Sequence, residues 1–169
     1  MEEEAWRLRN IEAIKQCKAR YCYSVDARDW SGFASVFAPD AVWDISGCMI
    51  ARHPETGEWN SIGSSFSLEE LEEFSRAIQP VAGAEAIAAA GKAAMIGKSS
   101  FHKLFAPIIE FTAADQAKAI WPSEDHVHAS DGPFVYMNGI GYYHETYEHL
   151  DGRWRIKTCN VSRIFLTIR

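Results

Sequence analysis

Gly141-Tyr142-Tyr143-His144-Glu145-Thr146-Tyr147-Glu148-His149-Leu150-Asp151-Gly152-Arg153-Trp154 is the stretch that decides the fold. Asp-Gly between two runs rich in aromatic and β-branched residues is a strong hairpin signal. Alternate residues of an extended chain share a face, so Tyr143, Glu145 and Tyr147 stand on one side and Tyr142, His144 and Glu148 on the other. The spacing predicts strands over 134–149 and 154–168. Working upstream, 116–128 and 101–111 have the same composition, with Ala114-Asp115 as their turn.

Before residue 99 the pattern is helical. Leu8, Ile11, Ile14, Cys17, Tyr21 and Val25 recur at steps of three and four, predicting a helix that ends near Asp26–Arg28. Asp29 fits an N-cap for a short helix over 30–37, which Ala38-Pro39-Asp40 then stops. Residues 41–45 alternate like a strand, and 47–66 read as a loop or ragged hairpin. Ser67-Leu68-Glu69-Glu70 is a capping box opening a helix with Leu71, Phe74 and Ile78 inward. The Ala- and Gly-rich stretch 81–97 reads as a small-residue helix or a mobile lid. Helices followed by a meander of strands make the class α+β.

Composition narrows the function. The 169 residues suit one domain spanning 1–169, and 47% hydrophobic with 24% charged is a globular profile. A formal net charge of −6 with no Lys/Arg run argues against nucleic acid as a partner. No run of about 18 apolar residues would span a membrane, and an acidic start is unlike a signal peptide, so a cytoplasmic location is expected. Cys17, Cys22, Cys48 and Cys159 contain no CxxC pair and read as buried free thiols rather than zinc ligands.

A few residues could carry chemistry. Asp26 falls at the C-terminal end of the first helix, where the helix dipole disfavours a carboxylate. It is either exposed at a frayed end or orienting a histidine. His102, within Phe101-His102-Lys103-Leu104-Phe105, is either a core histidine bonded to a carbonyl or a proton-transfer group with a suitable pKa. Arg163, among Val161, Ile164 and Phe165, wants an anion or an acceptor. His126 and His128 share a strand face beside Asp125 but lack a third ligand of defensible spacing, so no metal site is expected. Phosphate loops, GxSxG and dinucleotide fingerprints do not occur.

The run Ile11-Glu12-Ala13-Ile14-Lys15, with Tyr21, Asp26, Arg28-Asp29-Trp30 and Phe37-Ala38-Pro39-Asp40-Ala41, resembles the opening of SnoaL-like proteins of the nuclear transport factor 2-like superfamily. Gly141-Tyr142-Tyr143 to Leu150-Asp151-Gly152-Arg153-Trp154 resembles that family's last hairpin. Trp121, Glu124-Asp125 and Val161-Ser162-Arg163-Ile164 are similar to segments of bile acid 7α-dehydratase. Asp26 and His102 stand where scytalone dehydratase and lindane dehydrochlorinase carry their aspartate and histidine. The resemblance implies a cone-shaped, curved antiparallel sheet, an α+β barrel packed with three or more helices around a pocket. It implies Tyr21, Asp26 and His102 as catalytic residues, with Asp125, Tyr143, Arg163 and Trp121 binding substrate. Two departures stand out: Tyr143 occupies the place of an asparagine in scytalone dehydratase, and Trp121 that of its second histidine. The 81–97 stretch also looks longer than the family's equivalent.

The expected activity is that of a cofactor-independent lyase (dehydratase) or isomerase acting on a hydrophobic, polycyclic or steroid-like carbonyl compound. A non-catalytic small-molecule-binding domain and the small subunit of a ring-hydroxylating oxygenase are the alternatives. A homo-oligomer, trimer or dimer, is expected, with Tyr142, Trp154 and Phe165 covering the outer face of the sheet.

Overall fold

The structure, a computed structural model, describes residues 2–64, 66–132 and 134–169; Met1, Pro133 and Ser65, the last within the expected loop, lie outside it. Helix α1 (Glu2–Ala27) buries Ile14, Cys17, Lys18, Tyr21, Cys22, Ser24 and Val25. Leu8, expected on that face, is 61% exposed; Trp6 makes the contact with the sheet at this end of the helix, its ring centroid 4.9 Å from that of Phe111. The helix ends in a Schellman motif: Arg28 takes φ 63°, its N–H reaches the Val25 carbonyl at 3.2 Å, and the Asp29 N–H reaches Ser24 at 2.8 Å.

Asp29 then caps α2 (Trp30–Ser35) by accepting from Gly32 N–H at 2.8 Å. Strand β1 (Phe37–Asp44) starts four residues earlier than expected and runs through Pro39. Its pairing register is broken between Phe37 and Val42, and a proline is tolerated at such an irregularity. A 3-10 turn (Ser46–Met49), β2 (Ser61–Ile62) and the capping-boxed α3 (Leu68–Ala77) follow. Leu71 of α3 is buried, while Phe74 is 45% exposed. After β3 (Val81–Ala82), α4 (Ala84–Ala94) settles the 81–97 stretch as a packed helix. Gly91 lets it lie against α2, since a Cβ there would stand 3.1 Å from Phe33.

The expected strand over 101–111 is two, β4 (Lys98–Leu104) and β5 (Ile108–Ala113), parted at Phe105-Ala106-Pro107. They pair with opposite halves of β6 (Gln116–Ala129), which continues into β7 (Tyr136–Leu150) and β8 (Arg153–Ile168). The sheet order is β3-β1-β8-β7-β6-β4, an open path rather than a closed barrel. It is also mixed, not purely antiparallel, because β1 and β2 both run parallel to β8. The chain reaches β8's free edge through a long connection, so the parallel pairing is topologically available.

The concave face of this curved sheet carries the core. Tyr143, Glu145 and Tyr147 point inward as the alternation predicted, under α1. Trp154 also points inward, 4% exposed and donating from its indole N–H to Asn10 at 2.7 Å, so it does not belong to the outer face. Cys17, Cys22 and Cys159 are buried free thiols, but Cys48 is only partly buried. Burial pushes the Cys17 and Cys22 thiols up to about 12, which leaves them inert as nucleophiles. Among the described residues, no helix is long and apolar enough to cross a membrane.

Candidate active site

The C-terminus of α1 meets the middle of β4. Ser100 and His102, two apart, face the same side, and both reach Asp26. The Asp26 Oδ1 accepts from His102 Nδ1 at 2.7 Å and from the Ser100 hydroxyl at 2.7 Å. Its Oδ2 accepts the backbone N–H of His102 at 2.9 Å. Burial raises the Asp26 carboxyl, but the bonds and charge from His102 and the Ser100 hydroxyl outweigh it and hold the group below its usual value. An ionised carboxylate only accepts, so the Nδ1 proton points at Asp26 and Nε2 is the free, basic nitrogen. Asp26 is therefore not exposed at a frayed end but bonded to His102.

Arg28 fixes how α1 and β4 meet. Its guanidinium caps the Val25 carbonyl, donates to the Lys98 carbonyl at 2.5 Å and contacts Ser100 Oγ at 3.4 Å.

Cross-strand register builds the rest of the site. His102 stands directly opposite Asp125 on β6, and Asp125 opposite Gly139 on β7. Arg163 of β8 crosses over Gly139 to pair with the Asp125 carboxylate, and Tyr143 donates to the same oxygen at 3.3 Å. A side chain at Gly139 would force the guanidinium to shift, since its Cβ would lie 2.8 Å from the Arg163 Nε. The second Asp125 oxygen, Oδ1, is buried without a partner among the described residues. Burial pushes the Tyr143 phenol well above its usual value, with Asp125 adding to the effect, so the hydroxyl stays a donor.

His102, Asp125, Tyr143 and Arg163 line one cavity of about 270 Å³. Apart from Lys98, its other walls are apolar, among them Met49, Ile78, Met95, Val127 and Val161. The 3-10 turn, α3 and α4 supply part of them, and Ser75 on α3 donates to the Ser46 carbonyl at 2.6 Å to tie two together.

Tyr21 and Trp121 are set back from this cavity. Tyr21 is 2% exposed, accepts from the Trp43 indole at 3.1 Å and packs edge-on to Tyr143, with ring centroids 5.8 Å apart. Trp121 donates to the Tyr147 hydroxyl at 3.2 Å. His126 and His128 lie on the opposite face of β6 from Asp125; His126 Nδ1 is 2.9 Å from the Tyr136 hydroxyl. Among the described residues no three His, Cys, Asp or Glu side chains cluster as a metal site would.

Sequence reading missed a second buried network behind the cavity. Lys18 and Glu145, both 0% exposed, are paired at 2.6 Å, and Tyr147 donates to Glu145. The Lys18 ammonium sits over the Tyr143 ring at 3.5 Å and the Tyr21 ring at 3.8 Å. Burial alone would lower its pKa, but Glu145 outweighs that and raises it. The signal was present: Lys18 lies beside Cys17 and three residues before Tyr21, squarely on the apolar stripe of α1.

A cone-like α+β domain with a carboxylate-oriented histidine at the wall of an apolar cavity is the class that fold and site define. The SnoaL-like domain model matches residues 6–160, and the chain belongs to that family. It is similar to "Probable cyclase FGR4" of Gibberella zeae, 25% identical over 156 residues, covering 90% of this chain and 89% of that one. The crystal structure of a type 2 hexachlorocyclohexane dehydrochlorinase has the same fold, with TM-score 0.72, 18% identity, and 98% and 93% of the two chains covered. So has a scytalone dehydratase-like protein of Novosphingobium aromaticivorans, with TM-score 0.72, 14% identity and 98% and 91% covered.

Proposed function

We propose that this chain, acting as a single domain in the cytoplasm, is a cofactor-independent lyase or isomerase that moves a proton next to a carbonyl group. The observation that carries the reading is the Asp26–His102 pair, whose Nδ1 is held by the carboxylate at 2.7 Å while the ring borders a largely apolar cavity. His102 Nε2 removes the proton α to the carbonyl, and Asp26 stabilises the imidazolium. The electrons pass to the carbonyl oxygen as an enolate, then return to expel a β-hydroxyl, which leaves as water carrying the proton from His102. Returning the proton to another carbon instead gives isomerisation.

Tyr21 stands behind the cavity wall, so it bears on the site only through the Tyr143 ring it packs against. The unpartnered Asp125 Oδ1 accepts a hydroxyl of the substrate, and Arg163 and Tyr143 hold that carboxylate in place through its other oxygen. Apolar walls suit a hydrophobic ring system, of polycyclic or steroid-like shape, whose reacting ring enters the cavity. Incubation of the protein with hydroxylated polycyclic ketones, followed by mass spectrometry, tests this. Loss of water, or a shifted double bond, that disappears in His102→Ala is the expected result. Turnover that survives in His102→Ala sinks the mechanism.

The similarity to a protein named as a cyclase favours one related outcome. The same enolate attacking a second carbonyl closes a ring, so a poly-ketone chain belongs in the same panel.

A further inference from the structure

A second cavity, of about 410 Å³, lies between α1 and the β7–β8 hairpin and shares no lining residue with the cavity at His102. Arg9 and Arg20 of α1, Arg153 and Arg155 of β8, and His149 of β7 line it. Arg9, Ala13, Gln16 and Arg20 follow one another at steps of four, three and four, so they form one stripe along the helix. No aspartate or glutamate lines the cavity, although the chain carries a net charge of −6.

Among the described residues none of the four arginines forms an ion pair. The Nε of Arg155 is buried without a hydrogen-bond partner. Neighbouring carboxylates are engaged elsewhere: Glu148, opposite Arg155 in register, goes to Lys157 at 3.3 Å, and Glu12 accepts from Gln16 at 2.8 Å. Trp154, held by its bond to Asn10, gives the cavity a fixed floor. Four unneutralised guanidinium groups around one concavity repel one another and gain most from an anion that several can grip at once. Arg9 and Arg20 start about 16 Å apart along the helix, and their long side chains close on the cavity from its two ends, which suits an anion offering several oxygens to both.

We propose that this cavity binds a small molecule through a diphosphate group, gripped by Arg9 and Arg20 on one side and Arg153 and Arg155 on the other. The site stands whether or not the chemistry at His102 is as described.

Titration calorimetry of the whole chain with inorganic pyrophosphate, and separately with citrate, tests the assignment. Saturable one-to-one pyrophosphate binding is expected, weakened about tenfold or more by Arg9→Gln with Arg20→Gln and unchanged by His102→Ala. Both arginines are exposed on the helix, so the double variant keeps its fold, which circular dichroism checks. Arg155→Gln should weaken binding as well. Absence of saturable heat up to about 10 mM, or equal affinity in the Arg9/Arg20 variant, overturns the site. Citrate binding as tightly as pyrophosphate overturns the phosphate assignment.

Discussion

Asp26 holds His102 at two points of the same residue: one carboxylate oxygen takes the imidazole Nδ1 at 2.7 Å, the other the backbone N–H at 2.9 Å. The second bond ties the carboxylate to the strand itself, so the ring cannot swing without pulling the helix end. Preorganisation of this kind is what a proton-transfer pair needs.

The first prediction follows from that arrangement. His102→Ala should lower kcat by about 10²–10⁴-fold or more, with the melting temperature little changed. Asp26→Asn should cost nearly as much. Its amide oxygen would take the backbone N–H, leaving the NH2 to face Nδ1, which turns Nε2 into a donor and removes the base. The double variant should be little worse than either single one, because the two act as a unit. Additive losses would show that Asp26 and His102 act separately.

The same bonds predict a pH signature. Asp26 is held below its usual value in the folded chain, so it adds stability above the unfolded-state value of about 3.9 and loses it as pH falls through its folded value. The melting-temperature gap between wild type and Asp26→Asn should therefore be steady near neutrality and close below about pH 4. A gap that persists unchanged at pH 2 contradicts the ionised pair.

Gly139 offers a test of the Asp125–Arg163 arm without touching either residue. Gly139→Ala would push a methyl to within 2.8 Å of the Arg163 Nε and 2.9 Å of its Cζ. Overpacking of this sort costs about 1–3 kcal/mol, measurable by urea unfolding. Activity should fall further than stability explains, through a raised KM, because the displaced guanidinium no longer fixes Asp125.

The expected homo-oligomer would use the outer face of the sheet, and the structure removes Trp154 from that face. Trp154 is buried, whereas Phe101, Phe105 and Ile108 are 60%, 55% and 68% exposed. Light scattering should give a dimer or trimer at micromolar concentration, and Phe101→Glu should shift it towards monomer. A monomer in the wild type removes the expectation.

Legibility in the sequence followed the strength of local signals. The hairpin parity of 141–154, the capping box at Ser67 and the helix end at Arg28 are short-range devices, and each sits where the residues say. β1 was misjudged because parallel pairing with β8 joins residues more than a hundred positions apart, and Pro39 looked like a stop rather than a bulge. Asp26 and His102 were legible as residue types and through family likeness, not as a contact. Ser100, which bonds Asp26, and Arg28, which ties the helix end to Lys98, act through tertiary geometry, which no local pattern encodes. Gly139 left a weak trace: it repeats at period two with Gly141 and Tyr143 on the inward face.

Lys18 and Glu145 give the last prediction. Two fully buried opposite charges cost more to desolvate than their attraction returns unless every lone pair and proton is used, and here Tyr147 takes the other Glu145 oxygen. Removing only the cation, in Lys18→Met, leaves a carboxylate buried without its counter-charge and should cost about 3–5 kcal/mol in urea unfolding. Adding Glu145→Gln should restore much of that, because the amide oxygen still accepts from Tyr147 and no charge remains. The double variant also separates stability from function. Lys18 lies over the faces of Tyr21 and Tyr143, so losing it should loosen both rings even where the fold has recovered. Turnover in the double variant should therefore stay below wild type, in kcat more than in KM. Full recovery of both stability and turnover would make the pair a packing feature alone.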